Sequence, residues 1–376
     1  MQILNAGSRS NLTVAQVNSL LTGNQVTYTP GLELLDTNNN LVSDISDRFS
    51  SGEVDRNNAL LVQGTCKFVI EGSLKWGVDR VRPYMTVSDG SNSARFNLGV
   101  YVLTTPTTVQ GETPVAYNVV GYDTIYLLLG SLADTYVVSA GSTYLSAVQA
   151  LITTSGLASI VVLDGTLAAT VLQVDMVWAL DPTTNTTWLS VINALLATIN
   201  YVPIWADQDG ILHSSPFIPP ANRAVEWVFD TSDPRTNIVG PAITLTSDVW
   251  AAKNWWRFVR KAMTVQPVEG AGIYTVTNPT TGRTSILALG RTIRATTQYL
   301  DASDQASLVA QGDQIVALDK VISRSFQISV DPLPIASNYD VVQFTDSGST
   351  DKCQVITWTL PLNGSQGTWT LEAVSG

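Results

Sequence analysis

Few residues of this chain are equipped for chemistry. His213, in "DGILHSSPF", is the one histidine, so a Ser-His-Asp triad or a His-rich metal site would have to be built on it. It follows a tight polar turn, "ADQDG" at 206–210, whose Asp207 and Asp209 lack the downstream Glu of a calcium loop. The run "DTNNNLVSDISD", 36–47, sets Asp36, Asn38, Asn40, Asp44 and Asp47 at calcium-loop spacing. However, Leu41 stands where that loop needs Gly, and Asp47 where it needs a bidentate Glu. It reads as a hairpin turn running into a strand. Cys66 and Cys353 are far apart without C-x-x-C spacing, which argues against zinc. Cys66 shares a strand face with Val62, Phe68 and Ile70 and reads as a small buried apolar residue. With 31 acidic residues, carboxylate pairs of the glycosidase type are available, but nothing singles one out. Gly-rich phosphate loops are absent. No catalytic group, metal or cofactor is expected.

The most distinctive cluster is "VWAAKNWWRFVRKA", with Trp250, Trp255, Trp256, Arg257, Arg260 and Lys261. Aromatic rings beside Arg and Lys stack sugars or unpaired bases, anchor protein interfaces, or simply alternate along a strand. Of these, a subunit interface carried by Trp250, Trp255, Trp256, Arg257 and Arg260 is the reading taken forward.

Strands must position these residues. "FNLGVYVL" places Phe96, Leu98, Val100 and Val102 on one face, "RSFQISVD" places Phe326, Ile328 and Val330, and "GTWTLEAV" places Trp369, Leu371 and Ala373. Turn chemistry at 36–40, 88–93, 206–210 and 278–283 separates such runs and suggests barrels or sandwiches. Helical spacing appears in "SNLTVAQVNSLLTG", with Ser10 as cap and Gly23 as stop, at 185–200, and at 303–322. Gly312 inside the last costs about 1 kcal/mol relative to Ala, which points to close packing there. The stretch from Val137 to Leu163 carries no charged residue. A membrane span needs about 20 predominantly apolar residues, and frequent Ser and Thr rule this one out. It reads as strand, helix, strand, with Ser142 or Thr143 as helix cap and Gly156 as stop. Residues 128–204 thus form an α/β island between longer β regions.

A length of 376 residues allows two to four domains. Charged residues are 14% of the chain, against roughly 25% in ordinary soluble domains. The net charge of −11 argues against a sequence-independent grip on nucleic-acid phosphates, which needs clustered Lys and Arg. The N-terminus lacks the uninterrupted apolar core of a secretory signal, so synthesis in a cytoplasm is expected.

Several pieces in order resemble the tail-tip baseplate hub, or minor tail protein, of long-tailed bacteriophages. They are "LELLDTNNNLVSDIS" at 32–46, "VDRVRPYMTV" at 78–87, "FNLGVYVLTTP" at 96–106 and "VVGYDTIYLL" at 119–128, followed by "YVVSAGSTYLSAVQALI", "YVPIWADQDGILH", "DPRTNIVGPAITL", "LGRTIRA" and "NYDVVQFTD". Asn338-Tyr339-Asp340 departs from the pattern, standing where a Gly-Asp turn is common.

The resemblance implies a mainly β fold with an α+β insertion: two tail-tube-like β-barrel domains, α/β insertion domains and assembly as a trimeric ring. The expected boundaries are an N-terminal arm, 1–30; a first barrel, 31–127 with about 205–230; the α/β insertion, 128–204; and a second barrel, 231–376, with a helical insertion near 303–322. The implied role is a structural virion protein at the tail tip, adapting a sixfold tail tube to a threefold central fibre or spike. The implied partners are two further copies of the chain, the distal tail protein ring, the tape-measure protein and the fibre or spike. Genomic DNA passes through the lumen without specific binding. An acidic bore would repel phosphates at close range, leaving Lys and Arg mostly at subunit contacts. Because the sequence stops just after a strand pattern, fibre or cell-wall-degrading functions are expected on separate proteins. The competing readings are a β-rich receptor-binding adhesin and, behind it, a carboxylate-dependent glycosidase.

Overall fold

The computed structural model describes residues 2, 12–23, 25–108, 115–132, 134–157, 161–179, 186–233, 244–246, 252–261, 266–282, 284–302, 304–321 and 324–374. The fold is mainly β. Among the described residues its backbone is one hydrogen-bonded network of 14 strands built from both ends of the chain. The N-terminal half runs from Leu41–Asp44 through Thr27–Leu35, Arg80–Ser88, Tyr101–Thr108, Ala116–Asp123 and Gly64–Glu71 to Phe49–Asn57. The C-terminal half continues it through Ser349–Pro361, Gly367–Ala373 and Ser325–Val330 to Thr244–Thr246. The seam between the halves is antiparallel and sets Trp358 opposite Arg56. Strand alternation explains why each half buries one face. Cys66, Phe68 and Ile70 point inward from one strand; Phe326, Ile328 and Val330 from another; Trp369, Leu371 and Ala373 from a third. All of them enter a single core shared by the two halves. Cys66 is fully buried there, and burial pushes its thiol well above the ordinary range.

One expected strand is divided. "FNLGVYVL" breaks between Ser93–Asn97 and Tyr101–Thr108. The backbone at 98–100 leaves the ladder to receive another part of the chain, since Gly99 N–H donates to Gln208 O at 3.1 Å. Tyr101 Oη closes the bend by donating to Leu98 O at 2.9 Å.

Between the halves the chain builds an α/β body. Helix α1, Val14–Leu21, precedes it and sends Val17, Leu20 and Leu21 into the main core. Its cap is Thr13, in a reciprocal box with Gln16, rather than Ser10, which lies outside the described residues. Helices α2, Tyr144–Thr154, and α3, Trp188–Thr198, are capped by Thr143 and Thr187. They pack together over a second core extending from Ile125 to Leu212. The strands flanking α2 pair elsewhere: Tyr136–Val138 with Met176–Trp178, and Val161–Leu163 in parallel with Leu212–Ser214. In the charge-free stretch the inward face of α2, with Tyr144, Leu145, Val148, Leu151 and Ile152, is buried in this core, while its Ser and Thr residues at 139, 146, 153 and 154 are exposed. Among the described residues no helix is long and apolar enough to cross a membrane.

The segment 205–230 divides between bodies. Trp205–Ala206 and Leu212–Ser214 complete the small sheet of the α/β body, and Trp227–Asp230 pairs in parallel with Val341–Asp346 of the C-terminal half. A third unit follows. Trp255–Arg260, Gly272–Thr277, Val268–Glu269 and Gln298–Leu300 form a four-stranded sheet. The short helix α4, Ile286–Leu289, lies between two of these strands, and the long helix α5, Gln305–Val321, covers the sheet. Helix α5 touches α3, with Gln311 Nε2 donating to Thr198 O and to Asp301 O at 3.4 and 2.9 Å.

Gly312 is the contact point of α5 on its sheet. A Cβ there would lie 2.7 Å from Phe258 Cδ2 and 2.9 Å from Tyr274 Cδ1. We expect Gly312→Leu to destabilise the protein by about 1–3 kcal/mol in denaturant titrations, even though Leu is the better helix former. Unchanged or increased stability would show that the helix does not rest there.

Candidate functional site

The tryptophan cluster is split by its strand. Trp250 lies outside the described residues. In Trp255–Arg260, Trp256 and Phe258 point into the small core beneath α5 and are fully buried, and Trp256 Nε1 donates to Asp319 Oδ2 at 2.7 Å. Such a residue cannot meet another subunit, so Trp256 leaves the expected interface set. Trp255 is half-buried, with the Arg294 guanidinium 4.9 Å from its ring centroid, and Arg257 is exposed. Arg260 Nε donates to Ala302 O at 2.7 Å, and Lys261 pairs with Asp301 at 3.1 Å on the surface. Trp255 and Arg257 share the outward-facing side of the strand and remain candidates for contact with a partner.

The site that organises the molecule lies elsewhere, around the turn 206–210. Asp207 shapes this turn from within. Its Oδ1 accepts from Asp209 N and Ile211 N at 2.8 and 2.9 Å, while Oδ2 lies 2.9 Å from His213 Nε2. The histidine ring rests against Trp205, with centroids 5.0 Å apart. His213 thus braces a turn, and among the described residues no metal-ligand set forms and no serine is hydrogen-bonded to it. Gly210 has φ 76, and a Cβ there would come within 2.6 Å of Val100, so only glycine lets the turn seat against the first sheet half.

Each residue of the seated turn is held. Arg56, 2% exposed, donates through Nη1 to Ala206 O at 2.8 Å and to Asn338 Oδ1 at 2.9 Å. Asn338 Nδ2 donates to Gln63 Oε1, and Gln63 Nε2 donates to Tyr339 Oη at 2.6 Å. Gln208 Nε2 donates to Ala336 O at 3.1 Å. Asp209 accepts from Asn97 Nδ2 at 2.6 Å and lies 3.8 Å from Arg82. Arg82 and Arg95 both close on the buried Glu33, at 2.7 and 2.6 Å. The turn of the α/β body is thereby bonded to both halves of the sheet.

Two buried carboxylates complete the junction. Asp123 ends the strand that leads into the α/β body. Its Oδ2 accepts from Gly64 N at 2.6 Å and its Oδ1 from Ile125 N at 3.1 Å, capping the 3-10 turn Thr124–Leu129. Burial pushes its carboxyl up to about 6, against the opposing pull of the Arg56 charge and these N–H groups. Asp340 accepts from Ser337 N at 2.7 Å, and burial raises it in the same sense. Tyr339 between them has φ 59, the left-handed backbone that glycine adopts without strain.

The sequence signal for this site was thin. The D-x-D-G turn and the lone histidine were visible, but Arg56 and Gln63 carry no motif, and Asn338 showed only as a departure from a Gly-Asp turn. Arg56, Arg80, Arg82, Arg95, Arg223 and Arg324 are bonded within the chain, to acceptors that are buried at Ala206 and Glu33 and half-buried at Asn39, Glu226 and Asp351.

No family model matches the sequence, and no curated protein matches it. Solved structures do. A tail protein from Neisseria meningitidis superposes with a TM-score of 0.63 at 14% identity, over 92% of this chain and 96% of that one. A 43 kDa prophage tail protein from Shewanella oneidensis gives 0.60 at 11% identity, covering 91% and 98%. A prophage tail protein from Listeria monocytogenes gives 0.55 at 12% identity, covering 91% and 94%. This chain has the fold of phage tail proteins. At such identities it is the path of the backbone that is shared, so the tail-protein fold of this chain is held by side chains that must be read from its own structure.

The Asp123 environment sets a pH dependence. Its folded-state pKa lies above the ordinary carboxylate value, so the folded chain binds the proton more readily than the unfolded one. The stability this confers is present at low pH and is lost as pH rises through about 6. Asp340 adds to it with the same sign. We expect thermal stability to rise from pH 8 to pH 5, with Asp123 contributing on the order of 2 kcal/mol, and Asp123→Asn to flatten the profile. A wild-type profile that is level or falls over this range would contradict the assignment.

Proposed function

We propose that the chain is a structural virion protein of a phage tail tip: a hub that joins a sixfold tail tube to a threefold central fibre or spike. The observation that carries this reading is the end-to-end likeness to a phage tail protein, 92% of one chain on 96% of the other. A shared isolated module would not give coverage of that extent in both directions.

The architecture suits the role. Each copy carries two sheet halves joined edge to edge, one N-terminal and one C-terminal. If each half occupies a tube-like barrel position, three copies present six positions around an axis while keeping threefold symmetry. The expected division into two barrels and α/β insertions follows the same plan. A ring of this kind meets a sixfold neighbour, the distal tail protein ring, on one side and a trimeric fibre or spike on the other. The tape-measure protein and then the genome occupy its bore.

Electrostatics favour passage over binding. The net charge is −11, and many arginines are bonded inside the chain, so little positive charge is left to hold phosphates. Trp255 and Arg257, on an outward strand face, are the side chains proposed for subunit contact. The site of action is the virion tail tip, after synthesis in the host cytoplasm, and no catalytic step is assigned.

Electron cryo-microscopy of the purified protein, and of virion tail tips if it is monomeric alone, tests the proposal. We expect a threefold ring with six sheet positions around a channel, in which acidic side chains outnumber basic ones along the wall. A closed monomer in both settings, or a strongly basic channel, would sink it.

A further inference from the structure

A cavity of about 500 Å³ opens where the α/β body, the C-terminal sheet half and α5 meet. Its walls are largely apolar, with Trp205, Phe217 and Tyr339 among them. The Tyr339 ring is fixed in place. Gln63 holds its hydroxyl at 2.6 Å, Trp205 meets it edge-on at 6.3 Å, and its backbone sits in the left-handed region, where a side chain is strained.

The polar content of the cavity is unbalanced. On the strand Gly367–Ala373, Trp369, Leu371 and Ala373 face the main core, so Glu372 faces the other way, into the cavity. Its carboxylate is half-buried and meets no hydrogen-bond donor or cation among the described residues, and burial alone raises its pKa. Arg223 is the one basic residue on the described wall, and it is already engaged, donating to Tyr339 O and pairing with Glu226 at 3.3 Å. Asn58, also on the wall, gives its amide N–H to Val355 O at 2.8 Å, while its Oδ1 is buried without a donor. A carboxylate withdrawn from water with no partner is unfavourable, and an apolar, aromatic-walled pocket around it is complementary to a cation on an aliphatic stem.

We propose that this cavity binds an arginine side chain presented by an extended segment of a partner protein, with the guanidinium at Glu372 and the stem against Trp205 and Tyr339. Arginine fits better than lysine because its planar group both stacks on aromatic rings and forks onto a carboxylate. A protein segment fits better than a free cation because the cavity does not end at one side chain. A second depression of about 260 Å³ shares Pro220 with it and is walled by Val276, Val316 and Val374, which provides for apolar neighbours of the arginine. The inference does not depend on the tail-hub role.

Calorimetric titration of the full chain tests it, using the peptide acetyl-Val-Leu-Arg-Leu-Val-amide, the same peptide with neutral citrulline for arginine, and spermidine. The arginine peptide should bind, the citrulline peptide about tenfold more weakly or worse, and Glu372→Gln should abolish that difference. The variant should melt no lower than wild type, because it removes a half-buried charge that meets no donor or cation among the described residues, so loss of binding cannot be put down to unfolding. Equal binding of the two peptides, discrimination that survives in Glu372→Gln, spermidine binding as tight as the arginine peptide, or no binding at millimolar peptide would each overturn the proposal.

Discussion

The guanidinium of Arg56 is buried and permanently charged, and a group of that kind is tolerated only where acceptors surround it. Its acceptors come from two distant parts of the chain: the carbonyl of Ala206 in the α/β body and the side chain of Asn338 in the C-terminal half. Arg56 itself lies on the seam strand of the N-terminal half, opposite Trp358. One side chain therefore requires three segments to be present and correctly placed together. Removing any of them would strand the charge in an apolar setting, at a cost of about 3–5 kcal/mol for a buried partner lost.

The surrounding contacts repeat that logic with weaker bonds. The turn 206–210 is shaped internally by Asp207, so it arrives with its carbonyls and amides already directed. Gly99 leaves its ladder to meet Gln208, and Gly210 allows the close approach to Val100. The two sheet halves share one core as well as one seam. For a protein proposed to hold a symmetry mismatch, this matters. Force arriving at one half reaches the other through a continuous ladder and a buried polar junction rather than through a flexible linker.

The elements were more legible than their arrangement. Helices α2 and α3 appear in the sequence because apolar residues recur at helical spacing behind Thr caps, and that signal is local. The inward faces of Ser325–Val330 and Gly367–Ala373 follow from simple alternation. The break at 98–100 was hidden, because what interrupts that strand is a turn a hundred residues away. Trp256 and Arg257 illustrate the same limit at the level of a site. Composition marked the cluster, and alternation separates its two faces, but the acceptor for the Trp256 indole is Asp319 on α5, which no spacing rule reaches. Arg56 was illegible for the most general reason: a lone arginine in an alternating strand looks exposed until its distant acceptors are known.

Whether the junction makes the chain one mechanical unit is open to direct measurement by native-state hydrogen exchange, comparing wild type with Arg56→Met. The account predicts that in wild type the amides of Gly64, Gly99 and Ile211 exchange with the same free energy as the sheet core, and that in Arg56→Met those of the α/β body open at lower free energy while the sheet core keeps its protection. If the α/β body already opens independently in the wild-type protein, the junction does not couple the bodies and the account is wrong at its centre.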